Sequence, residues 1–69
     1  MKVSARNVLP ATIKTVTPGA VDSEVIMELA PGIEVVSIIT KTSAEKLGLK
    51  PGAKVHAIIK APNVMIGVD

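Results

Sequence analysis

Apolar and polar residues alternate with a period of two along much of this chain, the pattern of half-buried β-strands. From Val21 to Leu29 the residues Val21, Val25, Met27 and Leu29 share one face, and Asp22, Glu24 and Glu28 share the other. Upstream, Leu9, Ala11 and Ile13 alternate with Pro10, Thr12 and Lys14, and Pro18-Gly19 supplies a turn, so residues 7–17 read as a first strand. Pro10 has no N–H to give a ladder, which sets that part of the strand at an edge or bulge. After the Ala30-Pro31-Gly32 turn, Ile33–Thr40 carries Val35, Val36, Ile38 and Ile39 and is apolar on both faces. Such a strand is expected to be covered on both sides, by its own core and by a neighbouring subunit.

The period then changes. Thr42 followed by Glu45 matches a capping box, and Gly48 suits the position after a helix end, so a little more than one helical turn is expected over 43–47. Lys50-Pro51-Gly52 is a turn, Val55–Lys60 a fourth strand, Ala61-Pro62-Asn63 a break, and Val64–Val68 a short fifth strand. Five short strands with one brief helix between the third and fourth give a mainly β chain in the element order of an OB-like barrel, with a swapped-hairpin dimer as the alternative. One domain over residues 1–69 is expected.

Size makes this arrangement precarious. A chain of 69 residues buries a small fraction of its surface, and with no cysteine and one histidine neither disulfides nor a structural metal can reinforce it. Oligomerisation remains, and 48% hydrophobic residues agree with it. The absence of cysteine and of an export-like opening leads to a cytoplasmic expectation, and no apolar run approaches the ~18 residues of a spanning helix. His56 stands alone, without the partners that a nucleophile, a metal cation or acid–base chemistry needs, so no catalytic residue and no metal site are expected. Single-strand nucleic-acid binders stack bases on aromatic rings, and this chain has no Phe, Tyr or Trp.

Charge narrows the chemistry. The net charge is +2, and residues 1–21 contain Lys2, Arg6 and Lys14 with no acid, while 46–68 contain Lys46, Lys50, Lys54 and Lys60 with none. Acids gather at Asp22, Glu24, Glu28 and Glu34. If the two basic ends meet, their junction attracts anions; the plainer alternative is a solvated basic surface. Three polar clusters stand out: Ser4-Ala5-Arg6-Asn7, Thr40 with Ser43, and Lys60-Ala61. They offer hydroxyls, amides and two cations without a carboxylate, an inventory suited to a fully ionised oxyanion. Taken singly, Thr40 and Ser43 also read as caps, Lys60 as a solvated strand end, and Ser4 and Arg6 as a loose terminus.

Those clusters, with Gly48-Leu49-Lys50-Pro51-Gly52 as the turn and Val64-Met65-Ile66 at the end, resemble the molbindin, or Mop, family over the entire chain. The resemblance implies an OB-like barrel assembled as a trimer of dimers, a homo-oligomer holding molybdate or tungstate at subunit interfaces, with no other cofactor. It matches Ser4, Ala5 and Arg6 to the N-terminal oxyanion contacts, Thr40 and Ser43 to contacts from a partner subunit, and Lys60 with Ala61 to the closing contacts. Some relatives have Ser in place of Ala61, so one side-chain donor is missing while the amide remains. A second class of site near a threefold axis is also implied, without residues assigned to it.

The function so implied is reversible intracellular binding and buffering of the anion. Sulfate, being smaller, would leave buried donors unpaired at ~1–3 kcal/mol each, and protonated phosphate would find no acceptor. The rival is local: Ala44–Gly52 followed by Lys54-Val55 also resembles the swapped-hairpin transcription-factor family, which implies DNA binding but leaves the first two strands and the opening tetrapeptide unexplained.

Overall fold

The computed structural model describes all 69 residues. Strands β1 (Asn7–Pro18), β2 (Asp22–Ala30), β3 (Ile33–Thr40) and β4 (Lys54–Ile59) form where the alternation predicts strands, and helix α1 (Lys41–Lys46) lies between β3 and β4. They make one antiparallel sheet in the order β3-β2-β1-β4.

The bend in β1 shapes this sheet. Pairing jumps from Ile13 opposite Met27 to Thr15 opposite Ile26, so Lys14 is an extra residue on β1. A bulge of this kind bends and twists its strand. The first half of β1, Asn7–Thr12, pairs with β4, and the ladder to β2 begins only at Thr12. Pro10 is therefore flanked on one side alone, a setting that tolerates proline. Ile13 is fixed at the bend by the turn before β4: its N–H donates to the Ala53 carbonyl and its carbonyl accepts from Gly52 N–H, both at 2.9 Å. Gly52 has φ +88° behind Pro51, as a turn with proline first and glycine second requires.

Inward positions build a thin core. Ala11 and Ile13 from β1, Ser23, Val25 and Met27 from β2, Ala57 from β4 and Ala44 from α1 are the buried residues, seven of 69. Val35 and Ile39 on β3 pack half-buried against this core. On the outward face of β3, Val36 and Ile38 are 58% and 60% exposed, so one copy of the chain covers only one of the two apolar faces.

The five-stranded barrel expected from the element order does not form. The sheet has four strands and is open, because β3 and β4 are its two edges and share no ladder. A 3-10 turn, Ala61–Asn63, follows β4, and residues 64–68 pair with nothing. An apolar run reads as a strand, but a strand needs an edge to join, and here the chain turns away from its own. Residues of both edge strands nevertheless line one apolar trough of about 320 Å³, which shows that the sheet is curled.

Consequently the molecule exposes much surface. A compact monomer of 7.1 kDa is expected to show about 4,100 Å², whereas this chain shows 5440 Å². No helix is long and apolar enough to cross a membrane.

Candidate anion-binding site

Two of the three polar clusters come together through the β1–β4 ladder. Asn7 pairs with Ile59, and one residue beyond this pair stand Arg6 on one strand and Lys60 on the other. Ala5 and Ala61 follow by one more residue. Ser4, Arg6, Lys60 and Ala61 are exposed and Ala5 is half-buried. The single ion pair in the chain joins Lys14 to Glu34, so neither Arg6 nor Lys60 is neutralised by a carboxylate. Two cations at adjoining strand ends repel, and an anion between them relieves that repulsion.

The third cluster is elsewhere. Thr40 is the last residue of β3 and pairs with Asp22 at the start of β2, whose neighbour Ser23 pairs with Pro18 at the end of β1. Asn7 is at the opposite end of β1. Along β1 the two ends are separated by roughly 35 Å of strand path at ~3.3 Å per residue. No ladder brings the two groups together within one chain.

Thr40 caps α1, two residues earlier than the Thr42 expected from the capping-box spacing, and the helix spans 41–46 rather than 43–47. Its Oγ1 accepts from the Ser43 N–H at 3.0 Å and donates to Ser43 Oγ at 2.8 Å. The Lys41 N–H donates to the Val21 carbonyl at 2.8 Å. Two N–H groups that would otherwise face an anion at this helix start are thus engaged. What the cluster still presents outward is the Ser43 hydroxyl proton, polarised by the bond it receives from Thr40.

Other basic residues have separate tasks. Glu28 and Glu34 face each other across β2 and β3, like charges in direct opposition. The bulge aims Lys14 at Glu34, whose hydrogen bond and charge, with a smaller contribution from Glu28, hold the Lys14 ammonium above its ordinary 10.5. Lys54 donates to Thr12 Oγ1 at 2.9 Å. Of the basic residues in the two acid-free stretches, these two serve the sheet. The Lys14–Glu34 pair was not foreseeable from spacing, since its partners are 20 residues apart. The trough is the other feature missing from the sequence reading, although two apolar faces on 33–40 were a sign of it.

Residues 3–66 match the family model of the TOBE domain. Molybdenum-pterin-binding protein 3 of Clostridium pasteurianum is 46% identical over 66 residues, which are 96% of this chain and 97% of that protein. Among solved structures, MopII from Clostridium pasteurianum superposes with a TM-score of 0.89 at 40% identity, covering 97% of this chain and 100% of that one. The molybdate-bound form of ModG, described as a cytoplasmic molybdate-binding protein, gives a TM-score of 0.92 at 49% identity. That match covers 100% of this chain and 49% of ModG.

Proposed function

Because the chain belongs to the TOBE-domain family, in its molbindin (Mop) branch, we propose that it binds molybdate or tungstate reversibly and buffers the anion in the cytoplasm. It acts as a binding protein and not as an enzyme. The observation that carries this reading is the likeness, along the whole chain and at 49% identity, to a protein solved with molybdate bound.

The binding residues are Ser4, Ala5 and Arg6 with Lys60 and Ala61 from one copy, and Thr40 and Ser43 from another. Support comes from the separation of these groups within a single chain, from the unpaired cations at Arg6 and Lys60, and from the surface left uncovered by one copy. Each copy is one domain, and the copies assemble as a trimer of dimers. Backbone amides at Ala5 and Ala61 supply donors that fit an oxyanion of either metal, while Arg6 and Lys60 supply charge. No bond is made or broken.

Isothermal titration with molybdate, tungstate, sulfate and phosphate tests the reading directly. Saturable heat with the first two and at least 30-fold weaker binding of sulfate is expected. Absence of heat with molybdate, or equal affinity for sulfate, refutes it. Sedimentation at micromolar concentration tests the assembly separately, since a monomer that binds molybdate would place the whole site in one chain.

A further inference from the structure

Lys54, Glu28 and His56 have no part in the anion site, yet they meet in one cleft. Lys54 on β4, Thr12 on β1 and Glu28 on β2 are direct cross-strand neighbours, so their side chains form one row on the outward face of the sheet. His56, two residues along β4, shares that face. Beside this row the sheet opens. Upstream of Thr12, β1 pairs only with β4; beyond Glu28, β2 pairs only with β3, and Leu29 is an extra residue in that ladder. The two strands part, and the wedge between them is a cleft of about 340 Å³. Thr12, Glu28, Lys54 and His56 line it together with the apolar Leu29 and Val55.

The polar groups of the cleft are only partly used. Lys54 Nζ donates to Thr12 Oγ1 at 2.9 Å, which draws the ammonium over β1. Thr12 accepts in that bond, so its own hydroxyl proton is left to donate. The half-buried Glu28 carboxylate is in no ion pair, and none of the hydrogen bonds made by side chains reaches it. Its neighbour on β3 is Glu34, a like charge already engaged by Lys14. The Lys54 ammonium and the Glu28 carboxylate thus stand about one strand spacing apart, ~4.8 Å, without touching.

This arrangement selects by charge. A simple anion drawn to Lys54 meets Glu28, a simple cation drawn to Glu28 meets Lys54, and a metal ion finds no group of three His, Asp or Glu ligands. A small molecule with both charges on neighbouring atoms satisfies both walls. We propose that the cleft binds a free α-amino acid with an apolar side chain. Its carboxylate accepts from Lys54, Thr12 and His56, its ammonium donates to Glu28, and its side chain lies against Leu29 and Val55. The cleft shares no residue with the anion site, so this inference stands apart from the molybdate reading.

Leucine, N-acetylleucine and leucinamide test it, because they share a side chain while the second lacks the ammonium and the third lacks the carboxylate. Each is titrated into the isotopically labelled full chain, and backbone amide shifts are followed by nuclear magnetic resonance. Saturable shifts at Thr12, Leu29 and Val55 are expected with leucine, and binding weaker by roughly tenfold or more with either blocked form. Glu28→Gln should weaken leucine to a similar degree and melt no lower than the parent, since it removes the repulsion from Glu34. Lys54→Met, titrated in the same way, should also lose leucine. No saturable shift with leucine, equal binding of the blocked forms, or parental affinity in both variants overturns the proposal.

Discussion

Thr40 and Ser43 share two hydrogen bonds yet should respond to mutation in different ways. Thr40→Ala removes the acceptor of the Ser43 N–H and the donor to Ser43 Oγ. Both residues are exposed, so water can replace the lost partners and no buried group is left unsatisfied. The cost is therefore that of an N-cap, about 1 kcal/mol. At ~2.1 cal/mol/K per residue, unfolding this 69-residue chain carries an entropy of ~145 cal/mol/K, so the midpoint should fall by about 7 °C. Ser43→Ala keeps the N–H and hence the cap, and alanine is the better helix former. Its stability should change by less than ~0.5 kcal/mol in either direction.

Affinity reverses the order of the two variants. Thr40 directs its proton to Ser43, so the hydroxyl free to meet an anion is that of Ser43. Losing one hydrogen bond to a charged group costs ~1.5–3 kcal/mol, or roughly 10- to 150-fold in affinity for molybdate. Thermal melts without ligand at one fixed protein concentration, followed by titration calorimetry, separate the two effects. If Ser43→Ala melts as low as Thr40→Ala, the backbone bond is not the cap that matters. If it binds molybdate as tightly as the parent, the hydroxyl is not a contact and the assignment of this cluster fails.

Three further outcomes are expected. Lys60→Ala should weaken molybdate by ~1.5–3 kcal/mol per site with an unchanged far-ultraviolet circular dichroism spectrum, and an unchanged affinity would remove Lys60 from the site. Gly48 follows α1 with φ +64° and has open space where a β-methyl would stand, so Gly48→Ala should destabilise by ~1 kcal/mol through backbone strain alone, read from chemical denaturation. Lys14 has its pKa raised by Glu34, so the pair's contribution is fully present below the unfolded value of 10.5 and is lost as pH rises through the higher folded value. Glu34→Gln should accordingly abolish that alkaline loss in melts across this range, and added salt should diminish the parent's dependence.

Strand positions are legible in this chain because alternation is a local signal. Val25 and Met27 against Glu24 place β2 and its buried face together, and Pro31-Gly32 and Pro51-Gly52 mark the turns. The start of α1 is less legible because two threonines compete. The Thr42–Glu45 spacing favours the later one, but β3 continues to Thr40 and the Lys41 N–H is taken by Val21, so the helix begins at once. Closure is the part that local pattern cannot decide. Val64–Val68 has the composition of a strand, and whether it becomes one depends on an edge that its own chain does not bring to it. The residue types of the candidate site are likewise visible, whereas their distribution over two ends of β1 follows from register and bulge. The likeness of residues 44–55 to swapped-hairpin proteins is misleading for a related reason: a turn flanked by a helix and a strand is shared by many folds, and the family match here extends over 3–66.

The proposed division of the site between copies would make anion binding and assembly one equilibrium. With only seven buried residues, a single copy has little core to stabilise it, and its Arg6 and Lys60 stand at adjoining strand ends without a carboxylate. Bringing further copies to that end without an anion concentrates positive charge at the junction. A bound dianion cancels this repulsion and adds charge-assisted hydrogen bonds from more than one chain. If, as proposed, no single copy brings all the donors together, the ligand favours the assembled form by RT ln(1 + [L]/Kd), about 2.7 kcal/mol per site at a hundredfold excess over Kd. Reciprocity then requires that association strengthen anion binding by the same free energy. Occupancy of such a protein rises with both anion and protein concentration, so the amount of chain made by the cell sets how much free anion is left, and this is how a buffer without catalytic chemistry exerts control.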